Sequence, residues 1–363
     1  MIKGGSSLGR AETRRLQAAM KRRGFDAYVA THNTRYLAGT TAGKAVVVPL
    51  TGEPILICSR LEFSRAKAES GIKNIQALSG WKAPLNKGES VYVGELWHLI
   101  AKSLGEIDAR VVGYDRLGAQ TLRKIRNAHH AGYRELPELI LDLRMIKSGY
   151  ELGLVRKSAA IASKGMALAA ELAEVGRTEL EIAAEVEHGM RRAGSEGTSF
   201  PTIVASGKNS WFPHASATGK KLGKGELVVV DLGATFNGYC SDMTRTFALS
   251  PTSKQLRIVE VVKQAQRAAV VEARPGVKAS SLDGAARKVI ARAGYARFAT
   301  HGTGHGVGME IHEPPSLAPG SRDVMREGMV FTIEPGFYVP RLGGVRWEDM
   351  VLIKKNGREL LTR

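Results

Sequence analysis

The hydrophobic pattern changes period part-way along the chain. Over the first ~140 residues, short apolar runs alternate with amphipathic stretches. "DAYVA", "KAVVVPL", "PILICSR" and "ARVVGYDR" read as strands, and "AETRRLQAAMKRRG" reads as a helix that Ser7 can cap and Gly24 stops. "KAVVVPL" and "PILICSR" are expected to join as a hairpin across Thr51-Gly52. Beyond "LRMIKSGYE" the apolar spacing lengthens to the helical repeat in "SGYELGLVRKSAAIASKGMALAAELA" and "TELEIAAEVEHGMRRAG". A domain boundary therefore falls near residues 143–150, giving an N-terminal α/β domain over 1–145 and a second domain over 146–363.

The second domain repeats one coarse order. Helices precede "GELVVVDLGATFNGYCSDMTRTFAL", a strand, a turn at Asn237-Gly238 and a second strand. Helical "SKQLRIVEVVKQAQRAAVVEA" and "ASSLDGAARKVIARAG" then precede "GMVFTIEPGFYVPRLGGVRWEDMVLI", again strand, Gly/Pro turn and strand. This order implies an α+β class with an internal duplication.

Side chains alternate faces along a strand. A two-residue turn at Asn237-Gly238 pairs Phe236 with Tyr239, which makes Asp231 and Asp242 diagonal neighbours on one face across Gly233. A three-residue loop centred on Arg341 sets Glu334 opposite Glu348. A lone acid in a strand ordinarily faces solvent. Four acids brought together behind buried-looking runs repel one another unless a cation compensates.

"HGTGHGVGMEIHEPP", residues 301–315, supplies the imidazoles. Its glycines disfavour a helix, so His301 and His305 do not form a helical zinc pair; the segment reads as a loop or glycine-rich strand. It contains no GxGxxG, and no GxxxxGK[ST] occurs in the chain. Four carboxylates with one imidazole form a hard, oxygen-rich set suited to Mn²⁺, Co²⁺ or Zn²⁺. Their number suits two bridged ions, an arrangement that hydrolyses amide or phosphate bonds.

Composition changes this picture little. Lys+Arg 53 against Asp+Glu 35 gives +18, but the excess is spread over both halves without a long basic tract. That reads as a solvated basic surface and makes a specific nucleic-acid partner the lesser alternative. No apolar run approaches a membrane span, so no membrane partner is expected. Cys58 and Cys240 form no CxxC pair and read as free thiols in a reducing cytoplasm.

The segments "DLGATFNGYCSD", "HGTGHGVG", "TIEPG" and "GGVRWED" together resemble the pita-bread metallopeptidases, above all Xaa-Pro aminopeptidase and Xaa-Pro dipeptidase (prolidase). The resemblance covers the whole chain. It implies a creatinase-like N-terminal domain followed by a pseudo-symmetric pita-bread domain. It also implies two divalent ions per chain, Mn²⁺ before Co²⁺ or Zn²⁺, acting on proline-containing peptides; a homodimer is expected. Asp231 would hold one ion, Asp242 and Glu348 would bridge both, and His305 with Glu334 would complete the second. His214 of "NSWFPHA", His301 and His312 would face the substrate. Glu334 would also carry a proton, and Arg346 would support the site from behind.

The glycines are expected to let the backbone pass close to the metals and peptide. One departure bears on activity. Ser316 stands where prolidases of this family commonly carry an arginine for the dipeptide's carboxylate, and Arg322 comes later. Release of the first residue from Xaa-Pro-Yaa peptides is therefore the favoured expectation, with Xaa-Pro dipeptides as the alternative. A non-catalytic, binding relative or a metal-free hydrolase is disfavoured by the complete ligand set.

Overall fold

The computed structural model describes residues 9–86 and 88–363, which divide into two compact units, the first ending at Leu143 and the second running from Arg144 to Arg363. In the first unit, α1 (Arg10–Arg23) turns its apolar stripe, Leu16, Ala19 and Met20, inward. Gly9 occupies its N-cap, where Glu12 Oε2 accepts from Gly9 N at 2.8 Å. Ser7, the expected cap, lies outside the described residues. Gly24 ends the helix in the left-handed conformation, φ 72°.

There follow β1 (Ala27–Ala30), α2 (Thr34–Ala38), β2 (Gly43–Pro49), β3 (Ile55–Ser59), α3 (Phe63–Glu69), β4 (Asn74–Ser79) and β5 (Val91–Val93). Next come α4 (Leu96–Glu106), β6 (Val111–Tyr114), α5 (Ala119–Ala128), β7 (Gly132–Glu135) and α6 (Glu138–Met145). The strands form one mixed sheet in the order β5-β4-β3-β2-β1-β6-β7. β2 and β3 pair as the expected hairpin, but Val47 faces Ile55, so the connection is longer than a two-residue turn. The apolar runs pointed to β1, β2, β3 and β6; the more polar β4 and β7 did not announce themselves.

Among the described residues, the second unit holds two helix pairs and four sheets, of three, three, five and two strands. α7 (Gly149–Leu172) and α8 (Glu179–Arg192) precede β8 (Gly197–Thr198), β9 (Ile203–Ser206), β10 (Glu226–Leu232), β11 (Ala234–Phe236), β12 (Tyr239–Cys240) and β13 (Met243–Leu249). α9 (Ser253–Glu272) and α10 (Ala279–Arg292) precede β14 (Gly304–Gly306), β15 (Glu313–Leu317), β16 (Val330–Ile333), β17 (Gly336–Val339), β18 (Gly343–Arg346), β19 (Asp349–Lys354) and β20 (Gly357–Leu360). α7, α8 and α9 start from Ser148, Thr178 and Thr252, each in a capping box with the residue three along.

Alternation along the strands decides which face carries chemistry. Val228, Val230, Leu232 and Met243 pack with Ile161, Ile182 and Val186 of α7 and α8. Phe331, Ile333, Val351 and Ile353 pack with Ile258 and Leu282 of α9 and α10. Full burial of each such side chain contributes roughly 1.5–3 kcal/mol. Period two then turns Asp231, Asp242, Glu334 and Glu348 to the opposite faces, away from the helices. Among the described residues, no helix is long and apolar enough to cross a membrane.

Candidate functional site

The hairpin registers bring the acids together as the pattern predicts. Phe236 pairs with Tyr239 and Asp231 with Thr244, which leaves Asp242 two positions from Asp231's partner. The sequence's single long hairpin is broken into β10/β11 and β12/β13. In the second half, Val339 pairs with Gly343 across a loop centred on Arg341, and Ile333 pairs with Asp349, so Glu334 and Glu348 fall opposite one another. Every histidine and carboxylate expected at the site lines one cavity of about 810 Å³.

Within that cavity, ligand atoms of Asp242, His305 and Glu348 lie within 4.8 Å of one another. His305 Nε2 stands 3.6 Å from Asp242 Oδ2 and 3.2 Å from Glu334 Oε1. His305 Nδ1 lies 3.1 Å from Gly306 O; a proton on Nδ1 donated to that carbonyl leaves the Nε2 lone pair facing the acids. Burial, and then Glu348 and Asp231, push Asp242 well above the ordinary aspartate range. Burial, then Glu334 and Asp231, do the same to Glu348. Glu334 goes the other way: burial raises it, but its contact with His305 outweighs this and holds it below the usual glutamate range.

These acids fit a dication. Asp231 Oδ1 and Glu348 Oε1 are buried without a hydrogen-bond partner among the described residues. Orphaned carboxylate oxygens of this kind are costly unless something electropositive meets them. Their other oxygens are held: Glu348 Oε2 accepts from Thr244 Oγ1 at 2.7 Å, and Asp231 Oδ2 from Arg346 Nη2 at 2.7 Å.

Arg346 is buried and spans the site from behind. Its Nη1 donates to Tyr338 Oη at 2.7 Å and to Pro213 O at 3.2 Å, and its Nε donates to Thr244 Oγ1 at 3.2 Å. The Tyr338 hydroxyl stands 3.0 Å from His301 Nε2, while His301 Nδ1 meets Gly302 O at 2.7 Å. Both nitrogens of His301 are thus engaged, and burial lowers its pKa. His312 packs edge-on to His305, ring centroids 4.2 Å apart; burial and then His305 lower its pKa. Tyr338 was missed in the sequence, although period two from Glu334 through Gly336 marks its face.

Gly302 and Gly304 of the histidine segment line the cavity, and the segment's glycines also serve a purpose the sequence did not announce. A Cβ on Gly304 would lie 2.0 Å from Thr332 O, and one on Gly306 would lie 2.2 Å from Pro314 O. They let β14 sit tightly between neighbouring strands; the close approach is to protein backbone.

A model of metallopeptidase family M24 matches residues 153–355, and one of the creatinase/prolidase N-terminal domain matches 13–146. The Xaa-Pro dipeptidase of Pyrococcus horikoshii is 39% identical over 335 residues, 91% of this chain and 90% of that one. The solved Xaa-Pro dipeptidase from Bacillus anthracis superposes with a TM-score of 0.88 at 31% identity, covering 98% of each chain. The X-Pro aminopeptidase from Thermotoga maritima gives 0.84 at 29%, covering 95% of this chain and 97% of that one.

Proposed function

The chain belongs to metallopeptidase family M24, and we propose that it cleaves the bond before proline in Xaa-Pro dipeptides. The observation that carries this is the likeness, along nine-tenths of both chains, to a protein named Xaa-Pro dipeptidase. The aminopeptidase activity expected from Ser316 has less support than this alternative. We assign Asp231, Asp242, His305, Glu334 and Glu348 as ligands of two divalent ions, Mn²⁺ first, with Co²⁺ and Zn²⁺ as the other candidates. Cys58 and Cys240, both buried and in no disulfide among the described residues, suit a cytoplasmic protein, and a homodimer without a nucleic-acid partner completes the reading.

When bound, the ions acidify a water and polarise the scissile carbonyl. The chain's own groups do the rest. Glu334, ionised beside His305, takes the proton of the attacking water and passes it to the departing proline nitrogen. His312, neutral through burial, donates an imidazole N–H to the carbonyl oxygen as charge develops there. His214, exposed on its loop, orients the substrate and meets the dipeptide's carboxylate.

Arg346 keeps Asp231 aimed. Arg346→Met is expected to weaken Mn²⁺ binding by about 10–100-fold in calorimetric titration; unchanged affinity would remove Arg346 from this role.

One observation favours the aminopeptidase as a second reading. Ser316 lines the cavity while Arg322 does not, and Arg346, the one arginine on the wall among the described residues, is already bound to Asp231. The two readings separate on kcat/KM for Ala-Pro against Ala-Pro-Ala. The dipeptide is expected to be preferred, and Ser316→Arg is expected to widen that preference by about tenfold, a charge-assisted bond's worth. A wild-type preference for the tripeptide would make the aminopeptidase the correct reading.

A further inference from the structure

The loop of residues 207–217 carries His214 to the cavity. His214 is exposed, and its ring makes no hydrogen bond to any described residue. Its position therefore depends on how the loop is fastened. The stretch before it is held in mid-course: Gly344 N donates to Ser210 Oγ at 2.9 Å, and Arg346 Nη1 to Pro213 O. Beyond Ala215, Ala217 touches the core under α7 and α8, and the next hydrogen bond among the described residues is at Thr218.

Both ends of the loop meet one carboxylate. Glu179, the first residue of α8, is fully buried. Its Oε1 accepts from Ser206 N at 2.7 Å and Ser206 Oγ at 2.8 Å. Its Oε2 accepts from Thr218 Oγ1 at 2.6 Å and Thr218 N at 3.1 Å. Asn209 Nδ2 reaches both oxygens at 3.1 Å. The free amides of the helix's first turn add to the clasp, Glu179 N donating to Lys220 O at 3.1 Å and Leu180 N to Thr218 O at 3.0 Å. The start of a helix also favours a negative side chain.

Burying a carboxylate is costly unless its lone pairs are satisfied. Here the donors that satisfy it come from the two ends of the loop that presents His214. We propose that Glu179 is a positioning residue: it closes that loop at both ends and so sets where His214 stands over the cavity. The inference rests on the role given to His214 above. It also accounts for Asn209 in the "NSWFPHA" segment, which has no place at the metals.

The carboxylate has no quiet replacement. In Glu179→Gln, either amide orientation turns an NH₂ toward a backbone N–H, of Ser206 or of Thr218, and neither can invert. Thr218→Val is the milder test, removing one donor at the return end. With Mn²⁺-loaded enzyme and Ala-Pro, Thr218→Val is expected to lower kcat/KM on the order of tenfold, chiefly through KM, with metal content unchanged and Tm lower by only a few degrees. Thr218→Ser should restore it. In a His214→Ala background Thr218→Val should cost nothing further, because a residue acting through His214 has nothing left to position. Hydrogen exchange of the 211–217 amides should quicken with Thr218→Val in either background.

A full multiplicative loss in the His214→Ala background, or unchanged exchange, overturns this inference and leaves the proposed function standing. Undiminished activity of His214→Ala alone overturns the role of His214 and the inference with it, whatever the exchange shows.

Discussion

Exhaustive chelation is expected to silence the peptidase, lowering kcat/KM by on the order of a thousandfold or more, with Mn²⁺ or Co²⁺ restoring it. The acids that lose their counter-charge are those with orphaned oxygens, Asp231 and Glu348, together with Asp242 beside them. Burial and mutual repulsion raise Asp242 and Glu348 in the metal-free chain. Groups raised in this way stabilise the fold below the ordinary carboxylate range, and that contribution is lost as pH rises through their raised values. The metal-free protein should therefore lose Tm toward neutral pH, and added Mn²⁺ should recover it. Asp242→Ala should hold less metal than Asp231→Ala if, as proposed, Asp242 is shared by two ions and Asp231 serves one; elemental analysis reads both. Full activity in protein shown to be metal-free would overturn the assignment.

The second large effect lies beside His312. Glu313 is buried against two cations, Lys147 Nζ at 2.7 Å and Arg144 Nη2 at 2.6 Å, each also buried. Burial alone would raise its pKa, but Lys147 and Arg144 outweigh it and hold the group low. A lowered carboxylate stabilises the fold above the ordinary glutamate pKa, and the contribution is lost as pH falls through the folded value. Glu313→Gln leaves two buried cations without their shared partner, a loss of about 3–5 kcal/mol. At about 2–4 °C per kcal/mol for a unit of this size, Tm at neutral pH should drop by roughly 10 °C. The gap from wild type should narrow in acid. An unchanged Tm at neutral pH would show that the cluster contributes little.

Much of the site was legible in the sequence because strand periodicity and turn length are local properties. Asn237-Gly238 and the loop at Arg341 fixed two registers, and with them the facing of Asp231, Asp242, Glu334 and Glu348. What stayed hidden depends on distant partners. Glu313 meets cations far back in the chain, and Glu179 collects donors from Ser206 to Thr218. Neither leaves a periodic trace. The glycines were legible only in part: their spacing announced a close approach, but not that Gly304 and Gly306 also pass against the carbonyls of adjoining strands. In the N-terminal unit, β4 and β7 are strands because their neighbours pair with them, against a polar local composition.

The loop at Arg341 has a consequence for how such a chain tolerates insertions and deletions. β16/β19 and β17/β18 share one register, so the Ile333-Asp349 and Val339-Gly343 pairs are set by the same spacing. Residues added at the exposed tip, around Arg341, lengthen the loop and leave every pair in place. A single residue added between Gly343 and Glu348 instead slides one strand by about 3.3 Å and turns alternate side chains to the other face. Glu348 would then point into the core of α9 and α10. A change of length in this hairpin is thus expected to be tolerated at the tip alone, while the few positions on either side of it are counted.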